Sequence, residues 1–342
     1  MDRPEVVRLT GVPMPLRWSG SPLTVQADED TLTITTGART DWFVDPATGE
    51  VTATGCALLG GAPHREFTMT ARVSVDFASE FDAGALVVRL TPDHWAKLAY
   101  EVSPQRKPMV VSVVTRGRSD DAAGLHIDAD AVWLKLARRA GSYAFHASTD
   151  GQRWHFIRHF YLGEQDCEIG FLTQSPTGEG CRASFAHIGY LNDVVHDLHD
   201  TTHPPPLEYV VERDLPAPRD QVWQAWTEPR AFASWFGGTA ATVSLDVRPG
   251  GRWRVDTSVD GEPGEAMAGR YLDVVDGQRL IMETSFAGGD TVMEMTFRDH
   301  AGGTRVQSRQ RCRSTEELEG GRQGSEVLLA ACADFVTGQK GR

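Results

Sequence analysis

The chain has 342 residues, 40% of them hydrophobic and 24% charged, which suits a folded protein of two domains better than a single core. Its 34 Lys and Arg against 47 Asp and Glu leave a formal charge of −13, which argues against a nucleic-acid or anionic-membrane surface as its main business. Cys56, Cys167, Cys181, Cys312 and Cys332 are scattered without CxxC spacing, so neither a disulfide framework nor a zinc site is implied, and a reducing, cytoplasmic compartment is expected.

Residues 1–13 read as an N-terminal tail, because MDRPEVVRLTGVP has no uninterrupted apolar core of the kind a signal peptide needs, and no later segment could span a bilayer. From Met14 to about residue 192 the pattern is of strands and turns. TLTITTG and REFTMTARVSVDF alternate, and AGALVVRL, AKLAYEV, MVVSVVTRG, AVWLKLARR, SYAFHAS and EIGFLTQS follow. Runs rich in β-branched and aromatic residues, bounded by Gly, Pro and Asp, predict an all-β sandwich or barrel. Ser148-Thr149-Asp150-Gly151 is a hairpin signal, since glycine supplies the positive φ such turns require. So many strands in one domain point to a double-sheet jelly roll with a concave face.

TDWFVDP, FDAGALVVRLTPDHWAKLAYE, SVVTRGRSDD, VWLKLARRAGSYAFHASTDGQRW and IGFLTQSPTGEGCRASFAHI together resemble the concanavalin-like jelly rolls of the regulation-of-enolase-1-like family, a domain of unknown function. The similarity covers most of residues 14–192. It implies a lectin- or glucanase-type fold without a settled activity.

Two constellations in this domain carry chemistry. Glu164, Asp166 and Glu168 stand at alternate positions, and carboxylates so placed on one strand would share a face, as in glucanases where one is nucleophile and another general acid. Against this, Cys167, Ile169 and Phe171 read as the core-facing set and Glu164 follows a turn glycine. The second constellation is Asp82, Arg89, Trp95, Lys97 and Glu101, with Trp42 and Trp133 nearby: aromatic platforms and charged groups such as a glycan-binding face combines. The alternative is aromatic core and paired surface charge. An enzyme reading would use Glu164, Asp166 and Glu168, or Asp82 with Glu101.

Residues 193–206 read as a linker. Pro204, Pro205 and Pro206 favour a stiff extended spacer. His196, Asp197, His199, Asp200 and His203 are metal-ligand types, but ligands on a mobile segment are poorly preorganised, so a polar, solvated linker is expected and no metal.

Residues 207–342 begin with LEYVVERD and continue into two short helices. Pro218 and Pro229 suit first turns, Val222, Ala225 and Trp226 share one face, Phe232, Trp235 and Phe236 another, and Gly237 and Gly238 end the second helix. WRVDTSV, GRYLDVV, QRLIMETSF, TVMEMTFRD and TRVQSRQRC alternate as antiparallel strands. SEVLLAACADFV predicts a last helix capped by Ser325, with Val327, Leu328, Ala331 and Phe335 on its apolar face. The order β, α, α, several β, long α is the α+β helix-grip layout, which tends to leave an apolar cavity between helix and sheet. Trp235, Trp253, Met282, Met293, Met295, Phe297, Leu328 and Phe335 are its candidate walls, although a methionine stripe at strand spacing is also ordinary core. Arg305, Arg309, Arg311 and Arg313 share a strand face, either a surface for an acidic partner or a solvated outer face.

APRDQVWQAWTEPRAFASWFG, DVRPGGRWR, AGRYLDVVDGQRLIMET and GGTRVQSRQ are similar to the prokaryotic branch of the START-like superfamily related to the activator of heat-shock protein 90 ATPase. Members of that branch usually carry a glycine-tryptophan pair near the start of the last helix. Here GGRQGSEVLLAACADF lacks the tryptophan, which puts the contacts at the cavity mouth in question. The resulting expectation is a non-catalytic fusion protein that binds an apolar small molecule, a glycan or a protein partner, without a cofactor, a nucleic acid or a membrane. A carbohydrate-active hydrolase and a chaperone co-factor or stress-response interaction protein are the alternatives.

Overall fold

The computed structural model describes residues 4–28, 31–192, 197–199, 201, 207–238, 241–259, 262–285 and 290–338. The chain divides into two units, Met1–Pro205 and Pro206–Arg342. Among the described residues no helix is long and apolar enough to cross a membrane.

Alternation in Phe67–Asp76, where Phe67, Met69, Ala71, Val73 and Val75 are buried, sets the first unit's core face. That strand lies in a seven-stranded antiparallel sheet ordered His155–Tyr161, Ser142–Ser148, Ala131–Arg139, Phe67–Asp76, Arg182–Leu191, Thr31–Thr35, Thr24–Ala27. It packs on an eight-stranded sheet ordered Val6–Val7, Leu16–Ser19, Cys56–Gly61, Glu168–Gln174, Ala83–Thr91, His94–Val102, Pro108–Arg116, Ser119–His126. Leu86, Leu98, Ile169 and Phe171 from one sheet interdigitate with Met69, Leu134, Phe145 and Phe185 from the other. The predicted hairpin turn is present: Gly151 has φ 75°, and Asp150 Oδ1 accepts the amides of Gln152 and Arg153.

Several strands of the larger sheet are buried on both faces, which a plain two-layer sandwich does not require. A small hairpin, Trp42–Val44 with Val51–Ala53, covers the outer face. Trp42 packs with Ala57, Leu59, Ala85, Val87, Trp95, Ala99 and Leu172 in a second apolar cluster.

In the second unit a seven-stranded antiparallel sheet runs Leu207–Leu215, Gly303–Cys312, Thr291–His300, Arg279–Thr284, Glu262–Val275, Arg252–Val259, Val243–Leu245. Helix α1, Arg219–Thr227, follows Pro218 and buries Val222, Ala225 and Trp226. Helix α2, Pro229–Phe236, carries Pro229 in its first turn and ends on Gly237 at φ 93°. Helix α3, Thr315–Val336, lies against the sheet, so the unit has the helix-grip order.

Ser325 is not the cap of α3. The cap stands eleven residues earlier at Ser314, whose Oγ accepts the Glu317 amide at 3.1 Å. Three glycines, Gly320, Gly321 and Gly324, weaken the helical signal there and hide that start in the sequence. The buried face shifts accordingly to Leu329, Cys332, Ala333 and Val336, leaving Val327 63% and Phe335 38% exposed.

Candidate functional site

The sheet and α3 of the second unit do not close on one another completely. Between them lies a cavity of about 390 Å³. One cross-strand row, Tyr209, Gln310, Met293 and Met282, provides its floor, because each residue is the register partner of the next and their side chains share a face. Trp253, Met267, Thr284 and Thr291 extend that floor, and Trp226, Phe232 and Phe236 close one side. The roof is the α3 face Glu317, Gly320, Gly321, Gly324, Ser325 and Leu328, spaced three and four residues apart as one stripe of a helix.

The roof explains why the space exists. A Cβ at Gly320 or Gly324 would meet nothing within 4 Å, so no protein neighbour demands glycine there. Gly321 differs, since a Cβ would stand 2.8 Å from the Tyr209 ring. Glycine inside a helix costs about 1 kcal/mol relative to alanine, so this stretch forgoes stability while leaving volume unfilled.

Part of the cavity's polar content forms one hydrogen-bond chain. Tyr209 Oη donates to Gln310 Oε1 at 3.0 Å and lies 2.9 Å from Ser325 Oγ, which is 3.0 Å from Ser308 Oγ. Burial pushes the Tyr209 phenol up to about 12, so it stays protonated. Glu317 is the charged side chain among the described lining residues, and Arg313 pairs with it at 3.1 Å.

Of the walls expected from sequence, Trp253, Met282, Met293 and Leu328 line the cavity. Met295 and Phe297 are buried outside it, Phe297 packing edge-on to Trp223 at 5.3 Å. Trp235 packs at a tilt against Trp226, centroids 4.8 Å apart, and donates to Ala225 O. Phe335 points away, because the true phase of α3 places it outside the buried face. Tyr209, Gln310, Ser325 and the three glycines escaped the sequence reading. The Ser314-x-x-Glu317 cap was the signal that would have set the phase.

In the first unit the expected concave-face residues are partly assembled. Trp42 and Trp95 meet edge-to-face at 5.7 Å and are 5% and 4% exposed, so the hairpin leaves neither ring as an open platform. Arg89 lies over Trp42 at 5.6 Å, and two of its nitrogens donate to Glu168 Oε2 at 2.8 and 2.7 Å. Lys97 Nζ donates to Trp42 O, Gln174 Oε1 and Asp41 Oδ1 at 2.6, 2.7 and 3.1 Å. Glu101, four residues along on the same face, is buried, and burial pushes its carboxyl up to about 8 against the pull of Lys97. Asp82 belongs to the scaffold: its carboxylate accepts the amides of Ala78 and Ser79 and the Ser175 hydroxyl. Trp133 stands on the other sheet, stacked on His187.

Glu164, Asp166 and Glu168 do not share a strand face. Only Glu168 lies on the strand, and the backbone before it is pinned by buried Arg138, which donates to Glu164 O and Gln165 O. In the linker, His199 packs on Phe156 and His159 and approaches Asp197 Oδ1 at 3.3 Å; His196, Asp200 and His203 lie outside the described residues. The arginines of the outer face are paired, Arg305 with Asp214, and both Arg309 and Arg311 with Glu208.

Comparison with known proteins agrees with this two-part architecture. A curated protein of Saccharomyces cerevisiae (strain ATCC 204508 / S288c), "Regulation of enolase protein 1", is 25% identical over 192 residues, 54% of this chain and 92% of its own. A crystal structure of a functionally unknown Saccharomyces cerevisiae protein matches 52% of this chain and 97% of its own, at 24% identity and TM-score 0.49. The solution structure of the AHSA1-like protein from Aeromonas hydrophila matches 40% of this chain and 97% of its own, at 21% identity and TM-score 0.34. Residues 216–332 match the family described as Activator of Hsp90 ATPase homolog 1-like protein, which makes the second unit a START-like domain. Residues 18–192, half of the chain, match the family described as Protein of unknown function (DUF1349), and the chain belongs to that family, with the START-like domain fused behind it.

Proposed function

We propose that the protein is a non-catalytic binding protein whose second unit receives a small apolar molecule between α3 and the sheet. The observation that supports it is the cavity of about 390 Å³ walled by Trp226, Phe232, Trp253, Met267, Met282 and Met293, a size and lining suited to a small-molecule site. Methionine's flexible thioether lets such a wall adapt to varied apolar shapes. Burial of Trp42 and Trp95 under the hairpin favours the second unit over the sandwich as the place of binding.

N-phenyl-1-naphthylamine, a neutral apolar fluorophore, tests the reading. Saturable fluorescence enhancement is expected, and Gly324→Leu, which puts a side chain into the open space beneath α3, removes it. No saturable binding to the folded wild-type chain overturns the ligand reading. Retention of a chaperone on the immobilised chain in that case would put a protein partner in its place, as the name of the matched family invites.

A further inference from the structure

We propose that the ligand of this cavity is a neutral apolar molecule carrying a hydroxyl or carbonyl oxygen, held by Gln310 within the Tyr209–Ser325–Ser308 hydrogen-bond chain. This rests on the cavity being a ligand site and adds the chemical class of its occupant.

The chain has a direction. The Tyr209 hydroxyl hydrogen is committed to Gln310 Oε1. Ser325 therefore donates to Tyr209 and Ser308 to Ser325, since each hydroxyl has a single hydrogen to give. The series ends on the Gln310 amide, whose NH2 carries two hydrogens. That NH2 belongs to a residue that lines the cavity and is 8% exposed. An amide hydrogen facing the cavity gives up its access to water when an occupant enters, so an oxygen on the occupant is favoured there over plain hydrocarbon.

Charge selects further. Neither Lys nor Arg is among the described lining residues, and the charge of Glu317 is already taken up with Arg313, so a ligand carboxylate would meet desolvation with no lining cation to pair with it. Fatty-acid-type anions are thereby disfavoured and neutral alcohols and ketones favoured. Gly320 and Gly324 leave room on the roof, on the same α3 face as Ser325, so a flat or ring-shaped body fits above the methionine floor.

The test compares naphthalene, 2-naphthol and 2-naphthoate at neutral pH, by quenching of tryptophan fluorescence and by calorimetry on the full chain. The hydroxyl is expected to tighten binding by up to about tenfold over naphthalene, the net worth of one hydrogen bond. The naphthoate is expected to bind at least about tenfold more weakly than 2-naphthol. Gln310→Leu, checked for an unchanged unfolding midpoint, brings 2-naphthol down to the affinity of naphthalene. Equal affinities of naphthalene and 2-naphthol in the wild-type chain overturn the proposal, and so does tighter binding of the naphthoate. A naphthol advantage surviving in Gln310→Leu also overturns it. If none of the three probes binds, the cavity reading itself fails, which is a different result.

Discussion

Tyr209, on the first strand of the second unit, and Ser325, in the middle of α3, meet at 2.9 Å and tie the two ends of the domain together in sequence order. Both are buried, and the contact is shared with Gln310 and Ser308. Removing one hydroxyl leaves the others short of a partner. Tyr209→Phe and Ser325→Ala are each expected to lower unfolding free energy by about 1 kcal/mol. Because the two changes remove the same bond, the double variant is expected to cost less than the sum of the singles, which a double-mutant cycle in urea checks.

A second prediction concerns the hairpin over the first unit's sheet. Lys97 is 2% exposed and satisfies its ammonium on Asp41, Trp42 and Gln174, so one side chain fastens the Trp42–Val44 strand to the sheet beneath. Lys97→Met keeps the stem and deletes the charge, leaving the Asp41 carboxylate without its countercharge and two buried acceptors unmatched. A loss of roughly 3 kcal/mol is expected for breaking such a buried set. Hydrogen exchange should accelerate in residues 41–55 well before the core strands; unchanged exchange there would show that the apolar cluster alone holds the hairpin.

The glycines of α3 give a third. A methyl at Gly324 enters open space, so Gly324→Ala gains helix propensity without a clash and should raise stability by about 1 kcal/mol. Gly321→Ala should do the opposite, because its Cβ would stand 2.8 Å from the Tyr209 ring. Thermal unfolding of the two variants side by side reads the contrast.

How far the sequence carried depends on whether the signal was local. Strand alternation, Pro229 in a first helical turn and Gly237 at a helix end are all set by neighbours in the chain, and the two-domain architecture follows from them. The cavity's floor was half visible, since Met282 and Met293 alternate on their strands, but their pairing with Gln310 and Tyr209 is a matter of register between strands far apart in sequence. The phase of α3 was misread because Gly320, Gly321 and Gly324 depress helix propensity where the helix in fact begins. Likewise nothing local indicates that Trp42 folds over Trp95, a contact between residues more than fifty positions apart that turns two apparent platforms into core.

The last prediction is a pH dependence. Glu101 is 8% exposed, and burial pushes its carboxyl up to about 8; Asp41 and Asp121 push the same way, and Lys97 opposes them. In the unfolded chain the same group ionises near the ordinary glutamate value of about 4.3. Between those two values the folded state holds a proton that the unfolded state has released, so stability falls as pH rises through the window. The fall is at most about 1.4 kcal/mol per pH unit from this group. It is complete above the folded value, where both states are ionised. Glu101→Gln is of similar size and cannot ionise, so this component of the slope disappears. Urea unfolding at intervals from pH 5 to pH 9 is expected to give a sandwich transition that weakens with pH in the wild type and less so in Glu101→Gln, with the variant the more stable of the two at the alkaline end. Parallel profiles for the two proteins would mean that Glu101 ionises in the folded chain as readily as in water.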